Sequence, residues 1–215
     1  MTSGETAMPL LVEIDKARLD RGENMRVTGE IDGRLDQETL AVKGWSDPLR
    51  AFSEGGPLAM NLGIVAGDVQ LELSGSFTDA AHLAGPDLDG RFSGPEIGTV
   101  LEHFSLPPLS DGAFDFNARL KTRNGAATLV VDGDLGSLDI RARGELDRLA
   151  EPTNGQVTAT VQGPNLEAIG RALGLSAPLG DTFKLDTQLA FAPGVVHIEQ
   201  ARTVHPARDA RPHDI

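Results

Sequence analysis

The chain has 215 residues, 40% of them apolar and 24% charged, the proportions of a globular protein rather than a disordered one. Nineteen Lys and Arg against 32 Asp and Glu give a formal charge of −13, which argues against nucleic acid and against electrostatic docking on anionic lipid. Cys is absent, which excludes a disulfide framework, a thiolate nucleophile and Cys-ligated zinc or iron–sulfur centres.

Met1–Glu13 contains no Lys or Arg, and no stretch approaches the ~20 apolar residues of a bilayer-spanning helix. Taken literally, the chain is expected to be soluble and cytoplasmic, with neither signal nor anchor in this sequence. Period-two alternation then dominates. Met25, Val27, Gly29, Ile31, Gly33 and Leu35 share one parity, and Asp47–Phe52 is a weak helical candidate. Leu58, Met60, Leu62 and Ile64 follow, then Val69, Leu71 and Leu73, ending at Phe77. Gly94-Pro95-Glu96 opens a helical pattern over Ile97–Phe104, with Pro95 near the first helical position. Phe114, Phe116, Ala118 and Leu120 alternate with polar residues, as do Leu129, Val131 and Leu135, and Leu138, Ile140, Ala142 and Leu146. Val157, Ala159 and Val161 lead to a second helical pattern over Leu166–Leu173, opened by Gly163-Pro164-Asn165. Phe183, Leu185, Leu189 and Phe191 make the last run, and 205–215 reads as a disordered tail. Asn124-Gly125 and Asn154-Gly155 are hairpin dipeptides, while Asp89-Gly90 and Asp132-Gly133 read as turns or bulges.

A shift of 69 residues superimposes Gly94-Pro95 on Gly163-Pro164, Ile97 on Leu166, Phe104 on Leu173, Phe114 on Phe183 and Leu120 on Leu189. The expected organisation is a single β domain over 1–204 with repeat units of about 67–135 and 136–204. Strands with polar residues at every second position bury one face, which favours an antiparallel meander over a parallel sheet. The expected fold is mainly β: a twisted, curled antiparallel sheet of roughly ten or more strands, an open groove or incomplete barrel, with two or three short helices.

Catalytic chemistry finds little foothold. The five histidines, His82, His103, His197, His205 and His213, form no HExxH or HxH, so no metal site is expected. Asp87/Asp89, Asp132/Asp134 and Glu145/Asp147 are i, i+2 carboxylate pairs, but no Tyr exists to stack a sugar beside them. Asp132-Gly-Asp134 departs from the calcium-loop pattern. No Gly-x-Ser-x-Gly, phosphate loop or GxGxxG occurs. The chain reads as non-enzymatic, with no catalytic residue and no cofactor.

The informative feature is the apolar parity. Its inward candidates are Val69, Leu71, Leu73, Phe114, Phe116, Leu120, Leu138, Ile140, Val157, Val161, Leu185 and Leu189. Such a face must be covered. Either two sheets cover each other in a closed β-sandwich, an interaction module presenting acidic loops, or a curved sheet holds acyl chains; a packed core and a lipid lining choose the same residues.

Val161–Phe191, VQGPNLEAIGRALGLSAPLGDTFKLDTQLAF, resembles the C-terminal repeat of the AsmA-like family: a Gly-Pro-Asn-Leu helix start, an Ile-Gly helix, a Leu-Gly-Leu loop with Pro178, then a strand. The preceding stretch DGDLGSLDIRARGELDRLAEPTNGQ resembles that family's paired strands and acidic loops, and the Gly94 copy is a more divergent instance. The resemblance covers roughly Gly67–Phe191. It implies a segment of a bacterial envelope protein, periplasmic and anchored in the inner membrane in its full-length parent. A β-groove for phospholipid acyl chains would serve intermembrane lipid transport and outer-membrane homeostasis, with envelope proteins as possible partners. The chain departs from the pattern at both ends, without an N-terminal anchor and with an unrelated tail.

Overall fold

The computed structural model describes residues 11–22, 25–36, 38–98, 112–123, 126–146, 155–164, 182–192 and 195–204. Among them twelve strands form one antiparallel sheet in sequence order. They are β1 (Val12–Arg21), β2 (Val27–Leu35), β3 (Glu38–Ser46), β4 (Leu58–Ala66), β5 (Val69–Phe77), β6 (Asp87–Gly94), β7 (Phe114–Arg123), β8 (Ala126–Leu135), β9 (Leu138–Leu146), β10 (Gly155–Gly163), β11 (Phe183–Ala192) and β12 (Val195–Val204), with one helical turn, α1 (Ala51–Glu54). No ladder joins β1 to β12, so the sheet is curled but open. Substantial packing between elements runs only between consecutive strands. The described strands are therefore one layer, with no second sheet among them.

Strand bounds recur at an offset of 69 residues: β5 with β9, β7 with β11 and β8 with β12 share both ends, and β6 and β10 share their last. The two-residue turns recur with them. Gly67-Asp68 and Gly136-Ser137 close β4–β5 and β8–β9, with glycine φ values of 56° and 57°. A hairpin turn with glycine first needs that left-handed backbone.

Two expectations are corrected. Asp89-Gly90 and Asp132-Gly133 lie inside β6 and β8 and turn nothing. Their aspartates stand on the polar face, and a Cβ at Gly133 would come within 2.7 Å of the Phe116 ring. The helix expected at Asp47–Phe52 begins at Ala51, because the Asp47 carboxylate accepts from Ala59 N–H at 2.9 Å rather than capping a helix. Ile97 and Gly98 start a helical turn. The rest of that candidate helix, the one at Leu166–Leu173, the Asn124-Gly125 turn, Asn154 and the tail 205–215 lie outside the described residues.

The buried core sits at the two ends of the strands. At the α1 end, Ala51, Leu58, Met60, Phe77 and Ala80 pack together. Ala80 N–H donates to the Gly56 carbonyl at 3.0 Å, pinning the β5–β6 connection over α1. At the opposite end, which carries the Gly67 and Gly136 turns, Ile97, Phe114, Leu135, Leu138 and Phe183 form the second cluster.

Candidate functional site

Directly opposed residues in an antiparallel ladder share a face. One row therefore runs Ile31, Val42, Ile64, Leu71, Phe92, Phe116, Gly133, Ile140, Val161, Leu185. Beside it runs Met60, Gly75, Leu88, Leu120, Leu129, Gly144, Val157, Leu189. Leu73 belongs to the row between them, opposite Leu62 and Gly90. Val69 shares the parity of Leu71, and Phe114 and Leu138 are joined through Leu135. All twelve residues singled out by parity thus lie on one face of one sheet. From β2 to β11 the ionisable residue on that face is Glu38, opposite Leu35 at the β2–β3 hairpin.

Burial divides the twelve. Phe114 and Leu138 are buried in the cluster at the Gly67 end. Val69, Leu71, Leu73, Phe116, Leu120, Ile140, Val157, Val161 and Leu185 are half-buried. The side chain of Leu189 lies outside the described residues. Phe92 sits 4.7 Å from Phe114, and Phe114 sits 6.3 Å from Phe116, ring centre to ring centre. Val42, Leu62, Ile64, Leu88, Phe92 and Leu129 stand on the same face without having been singled out as lining. For Leu62 and Ile64 the period-two signal was already present. Phe92 was masked by Gly90 and Gly94, which hold its parity in β6.

The opposite face is a lattice of exposed ion pairs. Lys43 meets Glu30 at 2.8 Å, Arg91 meets Asp115 and Arg119 meets Asp89 at 2.5 Å, and Lys121 meets Asp87 at 3.0 Å. Hydrogen bonds from Lys43 and Arg91 hold the Glu30 and Asp115 carboxyls below their ordinary values. These partners account for the Asp87/Asp89 pair as cross-strand structure. Asp132 stands opposite Arg141. Asp147 lies outside the described residues. An open hollow of about 1100 Å³ lies over β8–β10 and is lined by Asp132, Arg141, Arg143, Glu145, Gln156, Thr158 and Thr160 among others, and by none of the twelve. Its charges are mixed in sign and solvated.

His82 hydrogen-bonds Asp79 at 2.8 Å, and that contact holds the Asp79 carboxyl low. His103, His205, His213 and the His197 side chain lie outside the described residues. Among the described residues no three His, Asp or Glu are grouped to hold a metal ion, and no helix is long and apolar enough to cross a membrane.

No protein-family model, curated protein or solved structure matches this chain.

Proposed function

We propose that this chain is a non-enzymatic carrier segment whose apolar face holds phospholipid acyl chains, as in the AsmA-like envelope proteins that Val161–Phe191 resembles. The observation that supports this reading is the apolar face running from β2 to β11, interrupted by an ionisable residue at Glu38 in the β2–β3 hairpin, with no second sheet over it among the described residues. Apolar surface of that extent is unstable in water and marks a binding surface. An acyl chain laid on it sheds water at about 0.8 kcal/mol per methylene, with no directional group required. Nine ladders from β2 to β11 at ~4.8 Å spacing give a face of ~43 Å, longer than one acyl chain, so lipids could follow one another along it. In the full-length parent this segment would stand in the periplasm and contribute to intermembrane phospholipid transport and outer-membrane homeostasis.

Native mass spectrometry with lipid extraction, on protein purified from bacterial cells without detergent, tests the reading. Co-purified phospholipid is the expected result. Leu71→Glu and Leu185→Glu, which place a carboxylate in the middle of the face, should lose most of it while retaining the β signal in circular dichroism. A lipid-free parent chain that unfolds cooperatively would overturn the proposal in favour of an interaction module.

A further inference from the structure

Of the eleven ladders, nine run in unbroken register, and the two that break it are those of the outermost strands. In β1 the register slips between Ile14 and Lys16, leaving Asp15 as an extra residue. In β12 Leu189 pairs with Ile198 and Gln188 with Gln200, leaving Glu199 as the extra residue. Both edges thus carry one bulge, and the residue at each is acidic. The repeat supplies an internal control. β12 has the same bounds as β8 at an offset of 69, yet β8, paired on both sides, is straight and has Val130 where β12 has Glu199. The bulge is therefore not part of the repeat pattern, and among the described strands it occurs in the two outermost.

A straight outer strand offers a row of amides that templates pairing with another chain, and bulges and charges disrupt such pairing. We propose that the acidic bulges at Asp15 and Glu199 are stops that keep this sheet from joining edge to edge with a second copy of the chain. A strand laid against either edge would meet broken hydrogen-bond spacing, and at β1 it would have to desolvate the exposed Asp15 carboxylate. Edge pairing is independent of what occupies the apolar face.

Deleting Asp15 leaves Val12, Ile14, Ala17 and Leu19 at continuous alternate positions, and deleting Glu199 does the same for Val196, Ile198, Ala201 and Thr203. The two deletions should be made singly and together in the whole chain, and compared with the parent by sedimentation velocity across a concentration series. Each single deletion should about double the mass through one freed edge, whereas the double deletion, with two free edges, should grow without closing. Amides of β1 and β12 should gain protection in hydrogen exchange as assembly proceeds. Deletion chains that keep the parent's circular dichroism and sediment as the parent does would overturn the proposal. Should the deletions abolish the β signal, the length-preserving pair Asp15→Val and Glu199→Val decides: concentration-dependent assembly beyond the parent supports the stops, and its absence overturns them.

Discussion

Gly94 and Gly163 stand opposite Phe114 and Phe183, each pair in register across its ladder. A Cβ at Gly94 would come within 2.8 Å of the Phe114 ring, and one at Gly163 within 2.5 Å of Leu138 and 3.0 Å of the Phe183 ring. The missing side chain lets the ring fold flat over the preceding strand, and both phenylalanines are only 3% exposed there. Gly94→Ala and Gly163→Ala should each cost about 1–3 kcal/mol by overpacking. Urea unfolding checks this, and combining Gly94→Ala with Phe114→Leu should cost less than the two changes added separately. The exposed carboxylates give a pH signature. Glu30, Asp115 and Asp79 are held low by Lys43, Arg91 and His82. Their stabilisation is present above the unfolded-state value of about 4 and is lost as pH falls through the lower folded-state values. The melting temperature should therefore decline in that acid range, and more gently for the Arg91→Gln chain, in which Asp115 has lost its first partner.

At the scale of elements, packing is concentrated where connections fold back over strand ends. Leu58 is fully buried at the α1 end. Leu58→Ala should cost about 2–5 kcal/mol, whereas Val65→Ala, on the polar face and 39% exposed, should stay within about 0.5 kcal/mol. Thermal unfolding of the pair distinguishes them. The elements differ in how plainly their sequences announce them. β4, β5, β7, β9 and β10 show clean alternation and fold as it indicates. β1 does not, because the bulge at Asp15 breaks the period between Ile14 and Ala17. β3 carries Ala41 opposite in parity to Leu40 and Val42, and β6 puts glycines where its apolar residues would be counted. The Gly67-Asp68 and Gly136-Ser137 turns were not singled out from the sequence, whereas Asp89-Gly90 and Asp132-Gly133 look turn-like and lie inside strands. What separates them is the cross-strand arginine opposite each aspartate, which no local pattern contains.

At the scale of the molecule, a single layer with one apolar face is half of a core. Charge placed at its middle should act on what the face binds more than on the fold, because the packed clusters sit at the strand ends. Hence Leu71→Glu should lower bound lipid with a smaller fall in melting temperature than Leu58→Ala, a comparison that mass spectrometry and calorimetry make on the same samples. By itself the sequence determined the β class, the parity of each clean strand and the 69-residue repeat, because side-chain period and self-similarity are read along the chain itself. Only the tertiary structure decided that the parities align in register across twelve strands, that the layer stays single and open, and that the two outermost strands are the bulged ones. Those features depend on which strand lies beside which, and ladder pairing between residues distant in the chain is not written in any one strand.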